Sequence, residues 1–437
     1  MVLMKKNSKV ITTFILVFVI TFVAFVLLFN DNKQKNLDNT SDSKQIVNEN
    51  TLSMMIEQTA GAGDYKMETR TSYPTDGYMF NATLSKCENG GELGWDETKG
   101  VVTMTGNMSD KCYIYFDKVL TLASYIKSLY TGVQGENSIY YHNSSLTNGA
   151  GDNSYRYAGA SSTVNNYICF GSDTETCPTD NLYRIIGVFG DQVKLIKATV
   201  ATSALLGTNG AYDSDTSYMW STLTGCPDSS TGYLNDNSNS VLLLSNKKDI
   251  LGATGGPENN ACSIWKYSDL NTINLNENFI TNIGYEWISK IAITTWKVGG
   301  NTEKNIVYVV PSTAYQNEIV NPDFNTTYDA KIGLMYVSDY YYAASPTYWT
   351  YVGYNSSDST KDYRAASTSN WMYLGSFEWT LTSLSNFNDY VFSVASSGTL
   401  TYDLANYSLS VRPVFYLESS ATYSSGGGTS SNSYRIN

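Results

Sequence analysis

Residues 182–197 read LYRIIGVF, then Gly190-Asp191, then QVKLIK. Two β-rich runs joined by a two-residue glycine-aspartate turn specify a hairpin with strands at Leu182–Phe189 and Gln192–Lys197. The hairpin opens the largest predicted domain, residues 167–437. Further on, Ser268 can cap a helix from Asp269, and Phe279, Ile283, Trp287 and Ile291 recur at four-residue spacing. That spacing makes one buried helical face, with Trp287 in the core. From Lys331 the chain turns to aromatic segments predicted as β: KIGLMYVSDYYYAASPTYW, NWMYLGSFEWTL, YVFSV and SVRPVFYL. Pro413 donates no hydrogen bond, so the last of these is expected at a sheet edge or with one side unpaired.

Toward the N-terminus, residues 118–166 read as a helix and an irregular connector. LTLASYIKSLY (Leu120–Tyr130) places Leu122, Ile126 and Leu129 on one face and stops at Gly132. Residues 53–117 read as a small all-β module, with runs at Tyr78–Phe80, Val101–Met104 and Tyr113–Phe116 punctuated by Asn89-Gly90-Gly91 and Gly106-Asn107. About 65 residues bury little, so a Cys87–Cys112 bridge would add a few kcal/mol there. Residues 30–52 read as a polar stalk. Before them, residues 10–29 are an unbroken apolar run behind Lys5, Lys6 and Lys9. Twenty helical residues span roughly 30 Å, and the lysines favour a cytoplasmic end at residues 1–9. No small-x-small cleavage site closes the run. The expectation is a single transmembrane signal-anchor at the plasma membrane, with the C-terminal part extracellular.

The formal charge is −12. An acidic chain does not suit nucleic acid, whose phosphates demand a basic face, nor flat adsorption on anionic lipid. Six cysteines in an extracellular setting suggest disulfides. Fifteen pairings are possible, and local spacing favours Cys87–Cys112, Cys169–Cys177 and Cys226–Cys262. With one histidine, His142, and no C-x-x-C, neither a metal site nor a cofactor is expected. No catalytic motif occurs: there is no P-loop, G-x-S-x-G or H-E-x-x-H. Glu378 and Asp339 are the carboxylates that could serve a glycoside hydrolase. Both sit in apolar segments, where structural pairing, Glu378 with Arg412, is the expectation. Asn321-Pro322-Asp323 and Asp213/Asp215 read as loop turns.

The segments Asn181–Gly187 (NLYRIIG), Lys331–Tyr340 (KIGLMYVSDY), Ala344-Ser345-Pro346, Asn370–Gly375 (NWMYLG), Glu378-Trp379-Thr380 and Val411–Leu417 (VRPVFYL) resemble a domain of unknown function of anchored bacterial surface proteins. That domain is similar to the C-type-lectin-like fold, shared with formylglycine-generating enzymes. Cys87–Gly91 through Cys112–Asp117 resembles the small module that often precedes it. The resemblance implies an α+β, loop-rich, C-type-lectin-like domain whose loops carry binding. It does not imply sugar binding, because no W-N-D run accompanies Asn321-Pro322-Asp323.

Tyrosine occurs 36 times, alongside abundant Ser, Asn, Thr and Gly. In binding loops, Tyr supplies rigid area and Ser and Asn supply adaptable hydrogen bonds. The expected ligand-binding residues are Tyr348, Trp349, Tyr351 and Tyr354 in one patch. Asn386, Asn388, Tyr390, Tyr402, Asn406 and Tyr407 form the rim of another. The expected partner is an extracellular glycan or protein, bound without catalysis. A structural, self-assembling envelope role is the alternative.

Overall fold

The computed structural model describes residues 52–75, 77–106, 110–222, 263–387 and 389–437. They divide between Leu120 and Thr121 into two compact units.

The first unit is all β: β1 (Leu52–Glu57), β2 (Tyr65–Arg70), β3 (Tyr78–Phe80), β4 (Lys86–Cys87), β5 (Glu92–Asp96), β6 (Val101–Thr105), β7 (Cys112–Tyr113) and β8 (Tyr115–Lys118). Four strands form a sheet in the order β2-β1-β8-β3, while β5–β6 and β4–β7 make separate pairs. Met54, Ile56, Phe80 and Phe116 form a small core under Tyr73 and Trp95. Cys87 and Cys112 face each other across β4–β7 and are bonded.

The second unit begins with a helix at Leu122–Ser128, whose N-cap Thr121 accepts from the Ser124 amide. Its strands are β9 (Ile139–Tyr141), β10 (Tyr155–Tyr157), β11 (Tyr167–Cys169), β12 (Leu182–Phe189), β13 (Gln192–Lys197), β14 (Tyr212–Ser214), β15 (Ser217–Met219), β16 (Thr294–Lys297) and β17 (Thr327–Ala330). There follow β18 (Ile332–Gly333), β19 (Glu378–Ser383), β20 (Tyr390–Val394), β21 (Leu400–Leu404), β22 (Ser408–Leu409), β23 (Val414–Tyr416), β24 (Tyr423–Ser425) and β25 (Arg435–Ile436). The main sheet runs β18-β23-β13-β12-β10-β9, with β11 also paired to β12. The hairpin at 182–197 is its centre, with the expected strand limits. A second sheet is the meander β19-β20-β21.

Side chains alternate across a strand, so the register sorts the main sheet into two faces. On one face Ile185, Leu195, Phe415 and Ile332 lie side by side. All four are fully buried, each worth about 1.5–3 kcal/mol in water-excluded area. Phe170, Phe279 and Trp287 pack over this face, Phe170 lying 4.9 Å from Phe415 and 5.0 Å from Trp287. The opposite face carries Arg156, Arg184 and Lys194 through the pairs Arg156↔Gly187, Arg184↔Ile196 and Gly187↔Lys194. Arg412 lies two residues before Val414, just outside strand β23. Gly187 is where β10 and β12 approach: a Cβ there would lie 2.3 Å from the Tyr155 carbonyl oxygen.

Several expectations are corrected. The described chain is mostly β with short helices, which does not match an N-terminal membrane helix joined to an α+β, lectin-like domain. No helix among the described residues is long and apolar enough to cross a membrane. Residues 10–29, Cys226, Cys262 and Asn388 lie outside the described residues. The helix expected through Ile291 runs as Leu270–Phe279 and Ile280–Ile283, then breaks at Gly284 (φ 87°) before Tyr285–Ile288. Residues 118–166, read as a connector, supply β9 and β10 to the main sheet. YVSDYYY, read as β, is helical at Val337–Tyr342. Carboxylates override the strand preference of its residues: Asp339 accepts from the Tyr336 amide and Glu318 from the Val337 and Ser338 amides. The strand after Pro413 is internal, paired to both β13 and β18. Pro413 precedes it and contributes its carbonyl to the Lys197 amide.

Candidate functional site

The meander β19–β21 and the segment 301–364 build an aromatic surface. In β20 and β21, Phe392 stands opposite Tyr402 and Tyr390 opposite Leu404, so Tyr390 and Tyr402 are diagonal neighbours on one face. Their rings meet edge to face at 5.4 Å, and Phe387 meets Tyr390 the same way at 5.6 Å. Phe387 is 45% exposed. Across from them Tyr308, 43% exposed, donates to Glu303 Oε1 at 2.8 Å. That hydrogen bond, with burial and the nearby charge, pushes the Tyr308 hydroxyl up to about 12. Burial, then Glu303, also raises Tyr402. Glu303 is thus hydrogen-bonded to Tyr308, and its charge is felt at Tyr402. Tyr354 lies 6.3 Å from Tyr308, and the Arg364 guanidinium sits 5.3 Å over its ring.

Partly buried hydrogen bonds fix this surface from behind. Asn301 Oδ1 accepts from the amide of Thr302 and the side chain of Asn305, and its Nδ2 donates to the Asn317 carbonyl. The helical turn bearing Glu303 is thereby held. The Tyr354 amide donates to Val307 and the Leu400 amide to Gly353, tying the 353–364 loop to both flanks. Asp362 is fully buried; it accepts from the Asn355 amide and pairs with Arg364 at 2.6 Å. The result is a preorganised row of rings with one carboxylate, Glu303, and one internally neutralised cation.

The charged face of the main sheet lies in the interior. Lys194 Nζ donates to Asp339 Oδ2 at 2.5 Å and is ringed by Phe189, Trp296, Tyr336 and Tyr416 at 4.6–5.7 Å. Arg156 pairs with Asp152 at 2.6 Å and faces Tyr315, Tyr342 and Phe189. Burial lowers the Lys194 pKa against the pull of Asp339. Glu378 and Arg412 form a bidentate pair at 2.5 and 2.8 Å, with burial holding Glu378 above its ordinary value. Asp339 and Glu378, the carboxylates considered for hydrolysis, are each engaged by a cation and 2% exposed. His142 is buried too: Nδ1 accepts from the Ala150 amide, which leaves the proton on Nε2. Desolvation keeps its pKa well below the imidazole range, and its ring meets Tyr342 edge to face at 4.7 Å. Asp215 accepts from Ser203, and Asp323 from Ser385.

Of the residues expected to bind ligand, Tyr354, Tyr390 and Tyr402 come together in the aromatic surface. Trp349 is 1% exposed, donates its indole N–H to the Ala344 carbonyl and packs on Tyr342. A ring so enclosed presents no face to a ligand. Tyr348 and Tyr351 pair with each other at 5.3 Å, half-buried against the core. Asn386 is exposed beside Phe387; Asn406 and Tyr407 are exposed at the turn after β21. Glu303, Tyr308 and Arg364 were not anticipated. Glu303 and Arg364 lie on short helical turns and Tyr308 in a bend, with no periodic or motif signal, and only the fold brings them to Tyr354 and Tyr402. Cys169–Cys177 is formed, as is Cys87–Cys112. No protein-family model, curated protein or solved structure matches the chain.

Proposed function

We propose that the second unit is an extracellular recognition module that binds a neutral or amino-bearing saccharide on the surface formed by Glu303, Tyr308, Tyr354, Phe387, Tyr390 and Tyr402, without catalysis. The carrying observation is two partly exposed ring groups, Tyr308–Tyr354 and Phe387–Tyr390–Tyr402, with the Glu303 carboxylate hydrogen-bonded to Tyr308. The C–H face of a pyranose is weakly positive and lies against the negative face of an aromatic ring. A carboxylate beside the rings accepts from sugar hydroxyls or an ammonium, and tyrosine hydroxyls meet ring and glycosidic oxygens. The chain's charge of −12 disfavours acidic polysaccharides. Two disulfides are compatible with the extracellular assignment.

The test is a glycan array with oxidised protein, followed by calorimetry on hits. Tyr308→Ala and Tyr390→Ala should each weaken binding about tenfold, the loss of one aromatic contact of ~1–1.5 kcal/mol, with folding intact. An empty array, or hits that both variants bind as well as the parent, would refute the proposal.

A further inference from the structure

The charged face of the main sheet does not balance at its Arg184 and Arg412 end. Arg184 is 2% exposed, and all its acceptors are neutral: Asn166 Oδ1 at 2.6 Å, Ser161 Oγ at 2.7 Å, and the Val164 and Trp371 carbonyls at 2.9 and 3.3 Å. No carboxylate among the described residues forms an ion pair with it. Arg412, 1% exposed, spends Nε and Nη2 on Glu378 and shares Nη2 with the Met372 carbonyl at 2.7 Å. The two guanidinium groups thus reach carbonyls of consecutive residues, Trp371 and Met372. Of these two buried cations only Arg412 has a carboxylate, Glu378. Each depends on enclosure, and Arg412 disfavours the charge on Arg184, which after desolvation is held down at about 10.

An orphan donor on Arg412 accompanies the surplus charge. Arg412 Nη1 is buried and finds no acceptor, and neither does the buried hydroxyl of Ser376. Ser376 lies in the turn between Met372 and Glu378, both of which Arg412 touches. A buried charge without a counter-charge and a buried donor without an acceptor are each costly, and proteins rarely keep both in one place. One small anion would satisfy both. It must be monovalent, because the surplus is a single charge, and compact, because both arginines are already enclosed by protein.

We propose that Arg184 and Arg412 form a buried site for a small monovalent anion of halide size, seated against Arg412 Nη1 and neutralising the surplus charge. The site is separate from the aromatic surface and does not depend on the saccharide reading. The anion is a structural ligand: it binds the folded state and is released on unfolding, so stability depends on its concentration.

The experiment measures thermal unfolding of the oxidised, full-length chain in chloride–gluconate mixtures of fixed ionic strength. The midpoint should rise with chloride by roughly 2–4 °C per tenfold increase beyond the dissociation constant, and bromide should substitute. Glu378→Gln removes the competing carboxylate, so the chloride dependence should begin about tenfold lower in concentration, the order expected for one neighbouring charge. Arg184→Met should abolish it. Should Arg184→Met fail to fold, bromide-soaked crystals of the parent give the second readout: an anomalous peak within hydrogen-bond reach of Arg412 Nη1. Midpoints that ignore anion identity in both the parent and Glu378→Gln would overturn the proposal, as would a bromide-soaked structure with no such peak.

Discussion

Raising the pH should unfold the second unit abruptly, because of four tyrosines buried together. Tyr340, Tyr341, Tyr342 and Tyr363 are at most 1% exposed. Each hydroxyl donates to a backbone carbonyl: Gly398, Ile306, Asn148 and Tyr341, at 2.7–3.2 Å. A phenolate could neither donate those bonds nor be solvated there, so burial raises all four above the ordinary phenol value. In the unfolded chain they ionise near pH 10. Their contribution is complete below pH 10 and is lost as pH rises toward the folded values, because the unfolded chain then releases protons that the fold retains. At pH 11 each forfeits about 1.4 kcal/mol, so the four together forfeit about 6 kcal/mol. That is comparable with the whole stability of a domain, ~5–15 kcal/mol. Lys194 and Lys197 act oppositely, since their lowered values let stability rise with pH. Their effect saturates near pH 10.4, where unfolded lysine has itself titrated. The assay is tyrosinate absorbance at 295 nm alongside far-ultraviolet circular dichroism from pH 8 to 12. The absorbance should show a cooperative step near pH 11 coincident with loss of ellipticity. Full tyrosine ionisation with ellipticity unchanged would refute the reasoning.

Three shorter predictions follow from the same packing. Asp339→Asn keeps an acceptor for the Tyr336 amide but strands the Lys194 ammonium, so chemical denaturation should show a loss of about 3–5 kcal/mol; adding Lys194→Met should recover at least ~2 kcal/mol of it. Replacing Cys87 and Cys112 by alanine opens a loop of 25 residues, and hydrogen exchange in the first unit should report about 3.5 kcal/mol less protection while the second unit is unchanged. Gly187→Ala drives a methyl group into the Tyr155 carbonyl, which should cost roughly 3 kcal/mol in urea unfolding and speed exchange at β10.

The sequence made some elements plain because their signals were local. The 182–197 hairpin has both its strands and its turn within sixteen consecutive residues, and the Cys87–Cys112 and Cys169–Cys177 pairs close short loops. Val337–Tyr342 is helical for a reason its local sequence does not carry: Glu318 caps it from 19 residues away. The strand after Pro413, expected at an edge or with one side unpaired, is internal for a similar reason, since β18 arrives from a distant segment to complete the pairing. The aromatic surface was half legible. Tyr390 and Tyr402 announce themselves in a meander, whereas Glu303 and Tyr308 become neighbours of Tyr402 only through tertiary packing. Abundance alone misleads about exposure, as Trp349 shows: a tryptophan in a tyrosine-rich stretch is as suited to a core as to a face.

The parallel pairing of β1 with β8 in the first unit has a mechanical consequence. Met55 lies beside Tyr115 and Ile56 beside Phe116, so the unit's first and last strands are neighbours running the same way. Tension applied through the chain on either side of the unit would enter β1 at one end and leave β8 at the other. The rungs joining them would then be loaded together in shear and could not open one at a time like a zipper. The Cys87–Cys112 bond would keep the intervening 25-residue loop from paying out even after those rungs yield. The fold of this unit is thus suited to bearing a pull along its own backbone, and single-molecule extension should show a high rupture force followed by a shortened contour length that full reduction restores.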